Sequence, residues 1–285
     1  MYGMPARMAV DHTIAFIGAG NMASAIIRGL VATSTVPAER ILAADPEEER
    51  LQFLESKLGI RVTKDNTRAV HEASVVVLAV KPQTFPQVLP VVSAALDRQT
   101  LVISIAAGIS TRLIERALPE GTRVVRTMPN TPALVGAGAT AIAGGAHATD
   151  RDLALAETLF RSVGIAVTVP EDQIDAVTGL SGSGPAYVFA MVEALRDAGT
   201  AEGLPEETAL RLASQTVFGA ARLLLEEKES PEVLRQRVTS PGGTTRAGLD
   251  ALEAAGFADA LRGAVRAATR RSVELGKIAE GSDDR

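Results

Sequence analysis

The 285-residue chain has no cysteine. Disulfides, thiolate nucleophiles and zinc ribbons are therefore excluded, and the composition suits a reducing cytoplasm. Aromatics are scarce, with nine Phe and Tyr together, and no long basic block interrupts a formal net charge of -5. Neither base stacking nor phosphate-backbone binding has the residues it needs, so no nucleic-acid partner is expected. The three histidines, His12, His71 and His147, are isolated in sequence. They cannot build a dense transition-metal site, and no metal is expected, although a carboxylate-rich magnesium site stays open. No apolar run approaches the roughly 18 residues of a membrane helix. The opening "MYGMPARMAVD" lacks the apolar core of a secretory signal. The chain reads as soluble and cytoplasmic.

What is present is 46% hydrophobic content, enough for one or two cores and, at this length, two domains. Up to about residue 170, short apolar runs of strand type alternate with helical patterns. The runs are "TIAFIG", "RILAAD", "SVVVLAV", "TLVISIA", "TRVVRTMP", "GATAIAGG" and "GIAVTVP". Alternation of this kind predicts a doubly wound parallel sheet. After "PEDQIDAV" the strand signal stops. "PEETALRLASQTVFGAARLLLEE" then sets Leu210, Ala213, Val217, Ala221 and Leu224 on one helical stripe. The predicted division is an α/β domain over 1–170 and an all-α domain over 171–285, ending in a frayed "AEGSDDR" tail.

Gly18, Gly20 and Ala23 form G-x-G-x-x-A between the first strand and the first helix. Missing side chains let a pyrophosphate approach the backbone there, and the helix start supplies amides and positive potential, as in Rossmann-type dinucleotide sites. Asp45 ends the second strand 22 residues after Ala23, where a carboxylate can accept from a ribose diol. With Glu47, Glu48 and Glu49 following, a 2'-phosphate would meet like charge, which favours NADH unless Arg50 or a more distant lysine intervenes. "LAVKP" and "ISIAAGIS" end two further strands with small residues, as expected at the cofactor edge of such a sheet. Lys81 could donate a proton, but an exposed turn ammonium explains it equally well. "SGSG" at 181–184 does not fit a nucleophile elbow and reads as a tight helix start. No P-loop is present.

"SPGGTT" at 240–245 joins two helical runs. Ser240 is predicted to cap the second helix, with Pro241 in its first position. Gly242, Gly243 and Thr244 then offer unobstructed amides at a positive helix end, a nest for a carboxylate. Plain capping by Ser240 and Thr245, worth about 1 kcal/mol each, is the bland alternative.

Taken together and in order, "FIGAGNMA", "AVKP", "SIAAG", "RTMPNTPALVGAG", "GLSGSGPAY" and "SPGGTT" resemble the pyrroline-5-carboxylate reductase family over nearly the whole chain. The resemblance implies an N-terminal dinucleotide domain and a helical domain that interlocks with its twin as a homodimer, often within a ring of dimers. It implies hydride transfer from NAD(P)H to the C=N bond of 1-pyrroline-5-carboxylate, giving L-proline in the last step of proline biosynthesis. Cofactor contacts would fall on Ile17, Gly18, Ala19, Gly20, Asn21 and Met22, on Asp45 and Asn66, on Ala79, Val80, Lys81 and Pro82, and on Ile105, Ala106 and Ala107. Substrate contacts would fall on Glu171, Ser240, Gly242, Gly243, Thr244 and Thr245. Of these, Thr245 would place its hydroxyl near the ring nitrogen as the catalytic group. Family habit favours NADPH, in tension with Asp45. Two other readings share the features: a β-hydroxyacid dehydrogenase or imine reductase, and a non-catalytic NAD-binding dimer. The dehydrogenases use a lysine on the helix after the glycine-rich junction, and "GPAYVFAMVEALRDAG" has none. The "SPGGTT" nest argues against the non-catalytic reading.

Overall fold

The computed structural model describes residues 10–281. Most of the segment read for a signal and the last four residues of the expected frayed tail lie outside them. Among the described residues there are eight strands: β1 Ile14–Ile17, β2 Ile41–Ala44, β3 Arg61–Thr63, β4 Val75–Leu78, β5 Leu101–Ser104, β6 Arg123–Met128, β7 Gly138–Gly144 and β8 Gly164–Thr168. The helices in this part are α1 Asn21–Ala32, α2 Glu48–Leu58, α3 Asn66–His71, α4 Phe85–Ala95, α5 Thr111–Ala117, α6 Asp150–Phe160 and α7 Ile174–Val177. Then come α8 Gly184–Ala201, α9 Glu206–Glu227, α10 Pro231–Arg237, α11 Thr244–Ala254 and α12 Phe257–Ala279.

The strands form one sheet in the order β3-β2-β1-β4-β5-β6-β7-β8. Strands β1, β2, β4 and β5 are four-residue apolar runs buried along their whole length, as parallel strands covered on both faces must be. α1, α2 and α6 cover one face with Ile26, Ile27, Leu30, Leu54 and Phe160. α3, α4 and α5 cover the other with Val70, Phe85, Val92 and Ile114. Each such side chain contributes on the order of 2 kcal/mol by burial, more than the surface ion pairs at about 0–1 kcal/mol, so the two apolar layers decide the architecture. Two features depart from the sequence reading. β7 runs antiparallel to β6, so the sheet is mixed at that end. β3 is an addition, because "RVT" is too short and too polar to announce itself as a strand.

By internal packing the chain divides into two compact units. One takes the chain up to Gly182 and resumes at Ala268; the other is Ser183–Ala267. The second unit buries very little of itself: among the described residues, α8, α10 and α11 contain no buried residue, and α9 only Ala209 and Ala213. Leu210 and Leu224, on the predicted stripe, are exposed, as are Phe218 at 58% and Leu225 at 69%. A helical unit that leaves its leucines in water has the surface of a protein that associates. Just beyond α12, Glu280 accepts a hydrogen bond from Ser110 Oγ at 2.7 Å.

The "MPN" stretch proves to be a joint. Asn130 is buried; its Oδ1 accepts from Ala139 N–H at 2.8 Å and its Nδ2 donates to Ser181 O at 3.0 Å, tying β7 to the segment before α8. "SGSG" spans the end of a π-helical turn, Thr178–Gly182, and the start of α8, with Ser183 as the N-cap and Gly184 as the first helical residue. Asn130→Ala removes both bonds and strands their partners, which should cost about 2–3 kcal/mol and lower the Tm by several degrees in a thermal scan. An unchanged Tm would refute the joint.

Candidate active site

The carboxyl ends of β2, β1, β4 and β5 lie side by side, and β1 is where the strand order reverses. That crevice is where open α/β sheets bind ligands. Its floor is stitched by backbone bonds. Gly18 N–H donates to Ala44 O at 2.7 Å, Ala79 N–H to Ile17 O at 2.8 Å, and Ile105 N–H to Leu78 O at 3.2 Å. Gly18 has φ +98, and a Cβ there would come within 2.8 Å of Ala79 O, so only glycine fits. Ala19 N–H donates to Asp45 Oδ2 at 2.7 Å. Gly20 then caps α1 with no side chain, and the first turn, with Asn21 and Met22, carries no acid. The leading amides of α1 are thus left for an anion.

The other expected cofactor residues follow the carboxyl ends of β4, β5 and β3. Ala79 and Val80 are half-buried, while Lys81 is exposed and leads the short turn at Pro82, with Thr84 N–H donating to Lys81 O. Ile105, Ala106 and Ala107 follow β5, and Ala106 N–H reaches Ser104 Oγ at 3.3 Å. Asn66 opens α3, where Asp65 is the cap. A cavity of about 570 Å³ adjoins Ala19 and Asn21 and is lined by Arg28, Arg50, Phe53 and Lys57.

The electrostatics around Asp45 differ from a bare acidic run. Asp45 is buried, and its Oδ1 accepts from Glu47 N–H at 2.9 Å. Arg50 approaches Asp45 at 3.6 Å and Glu47 at 3.0 Å. Glu48 pairs with Lys64, whose hydrogen bond holds the Glu48 carboxyl below the usual carboxylate range. Much of the negative charge counted along the sequence is therefore compensated pair by pair.

The glycine-rich junction is built differently from the expectation. Gly243, not Ser240, is the N-cap of α11, and Pro241 lies outside the helix. Ser240 O accepts from Gly243 N–H at 3.1 Å, and Gly242 has φ +69, the arrangement of a type II turn with Pro241 and Gly242 at its corners. One amide offered to a ligand in the sequence reading is thus spent on the turn. Thr244 and Thr245 head α11, which has no side-chain cap and no acid in its first turn, so the anion-attracting end persists one residue later. Ser240, Gly242, Thr244 and Thr245 are exposed, and Gly243 is half-buried.

Glu171 is engaged within its own unit. Its carboxylate accepts from Thr111 N–H at 2.7 Å and from Thr111 Oγ1 at 2.5 Å, and stands 3.4 Å from the Arg126 guanidinium. Arg126 is buried, lies 3.8 Å from Asp175 and keeps an unpartnered Nε. Sequence reasoning passes over Arg126 and Thr111. A charged residue inside the apolar "RVVRTM" strand is the available signal.

With this geometry in view, the comparisons are specific. A family model described as pyrroline-5-carboxylate reductase dimerisation matches residues 171–275, and one described as NADP oxidoreductase coenzyme F420-dependent matches residues 13–108. A pyrroline-5-carboxylate reductase of Methanosarcina acetivorans is 50% identical over 267 residues, 94% of this chain and 99% of its own. The chain belongs to the pyrroline-5-carboxylate reductase family. A solved pyrroline-5-carboxylate reductase from Coxiella burnetii superposes with a TM-score of 0.90 at 43% identity, covering 94% of this chain and all of its own. A Plasmodium falciparum pyrroline carboxylate reductase with NADP bound superposes at 0.84 with 29% identity, over 94% of this chain and all of its own.

Two glycine substitutions separate folding from binding in this pyrroline-5-carboxylate reductase family member. Gly18→Ala should destabilise the protein by about 1–3 kcal/mol through strain and the Ala79 clash. Gly20→Ala meets nothing within 4 Å and should leave the Tm nearly unchanged, yet weaken NADH binding at least about tenfold in a fluorescence titration, since its methyl would occupy the approach of a pyrophosphate. Wild-type affinity in Gly20→Ala would remove the turn from the binding site.

Proposed function

We propose that this chain is an NAD(P)H-dependent pyrroline-5-carboxylate reductase, reducing the C=N bond of 1-pyrroline-5-carboxylate to L-proline. The observation that carries this reading is the 50% identity over 267 residues, 94% of this chain, to a pyrroline-5-carboxylate reductase. The dinucleotide supplies hydride when bound. Its pyrophosphate is held by the amides at the start of α1, with Ile17 to Met22, Asp45, Asn66, Ala79 to Pro82 and Ile105 to Ala107 around it. The uncapped start of α11 supports this assignment of the substrate carboxylate: Thr244 and Thr245 present their amides to it, and Ser240, Gly242 and Gly243 shape the turn that keeps them open.

A protonated imine is already electrophilic, so the protein has little acid chemistry to do; holding the reactants in line accounts for most of the acceleration. Thr245 is the group assigned to hydrogen-bond the ring nitrogen. Glu171, with both carboxylate oxygens already engaged, acts through Thr111 in this reading and does not contact substrate. The exposed leucines of α9 and the dimerisation family match support a homodimer, and a ring of dimers is its proposed higher assembly. No helix among the described residues is long and apolar enough to cross a membrane, and we assign the enzyme to the cytoplasm.

Purified protein is expected to oxidise NADH or NADPH only when pyrroline-5-carboxylate is added; no turnover with either would reject the activity. Thr245→Ala should lower kcat by about tenfold or more while leaving donor affinity near wild type, the pattern of an interaction that matters only in the reacting complex. Parallel loss of both would make Thr245 structural. The donor ratio tests the Asp45 environment. Asp45 and Glu47 share the single guanidinium of Arg50, so kcat/KM should favour NADH by about tenfold, and Asp45→Ser should narrow the gap. Equal or better use of NADPH by the wild type would overturn that assignment.

A further inference from the structure

Ile105, Ala106 and Ala107 offer a dinucleotide little beyond backbone and methyl groups, so their contribution depends on where the segment sits. The residues just after it fix that position. Two carboxylates far apart in sequence converge on the next consecutive polar pair, Ser110 and Thr111. Glu171 takes the amide and the hydroxyl of Thr111 at 2.7 and 2.5 Å. Glu280, just beyond α12, takes the hydroxyl of Ser110 at 2.7 Å and stands 3.8 Å from Arg112. Leu275 lies against Gly108, where an added Cβ would be 3.3 Å from the leucine Cβ. The final turns of α12 are themselves anchored. Buried Ser272 donates to Asp175 Oδ1 at 2.6 Å, and Asp175 joins Arg126 at 3.8 Å. At its other end the segment is tied by Thr127 Oγ1, which donates to Ser104 O at 3.0 Å.

We propose that Glu171 and Glu280 form a clamp that positions the Ile105–Ala107 segment for the nicotinamide donor, making the end of α12 a positioning element for donor binding. The proposal rests on the reading that this segment faces the donor. Glu280 touches neither reactant; it acts through Ser110. Its removal therefore changes how well the donor is held more than how fast the bound complex reacts.

The test uses the full-length protein and compares Glu280→Ala, Glu280→Gln and wild type, with Glu171→Gln as a second probe of the clamp. Donor Kd is read by nicotinamide fluorescence, KM and kcat with pyrroline-5-carboxylate, and Tm by thermal scan. Glu280→Ala should raise donor Kd and KM by about fivefold while kcat stays within about twofold and Tm within about 2 °C. Glu280→Gln keeps an acceptor for Ser110 and should restore the donor Kd to within about twofold of wild type. Glu171→Gln, which weakens the tie to Arg126, should raise donor Kd in the same sense. Unchanged donor Kd in Glu280→Ala, no recovery in Glu280→Gln, or a loss that follows Tm would overturn the clamp. Absence of wild-type turnover would reject the assigned reaction, whereas normal turnover with an unchanged Kd in the alanine variant would reject the clamp alone.

Discussion

The hydrogen bond from the Ala19 amide to the Asp45 carboxylate joins the end of the central strand to the end of its neighbour, and much of the rest is arranged around it. It draws the glycine turn tight against the sheet, with Gly18 hydrogen-bonded to Ala44 and pressed on Ala79. Gly20 follows as the N-cap and has no side chain to offer an acceptor, so α1 begins with bare amides. Those amides are costly to leave unpaired in a crevice and favourable beside an anion. The same bond fixes the carboxylate at the crevice, and that makes the choice between the two nicotinamide donors a local question of charge around Asp45 and Arg50.

A second constraint is the poverty of the helical unit's own core. With Ala209 and Ala213 its only buried apolar side chains among the described residues, Ser183–Ala267 cannot account for its order by self-packing, given that ordering each backbone residue costs about 1–2 kcal/mol. The unit lies within the residues that match the dimerisation family model, and its exposed leucines are the kind of surface that association would cover. Polar ties do the finer positioning in the first unit: Asn130 holds β7 to the segment before α8, and Glu171, Arg126, Asp175 and Ser272 hold the end of α12 near the cofactor edge. Such partly buried networks specify geometry more than they add stability, because desolvation of their buried members offsets much of their attraction.

The strand-helix alternation, the glycine turn and the position of Asp45 are all legible in the amino-acid order, because each depends on local periodicity or on a residue type with one backbone use. The strand β3 is not, since three half-polar residues carry no period. Nor is the reversal of β7, which depends on the neighbour that a strand finds and not on its own residues. "SPGGTT" is legible as a turn before a helix but not in its register: Pro241 reads equally well as a first helical residue or as a turn corner, and the positive φ of Gly242 decides between them.

The sequence by itself determined the parallel-sheet class, the anion-binding turn and the family, because glycine spacing, apolar runs and ordered motifs are properties of neighbours along the chain. The tertiary structure decided the partners of the charged residues. That Glu171 meets Thr111 and Arg126, and that the acids around Asp45 pair with Arg50 and Lys64, depends on partners up to 60 residues away. A charge acts through distance in space, and only the fold sets that distance.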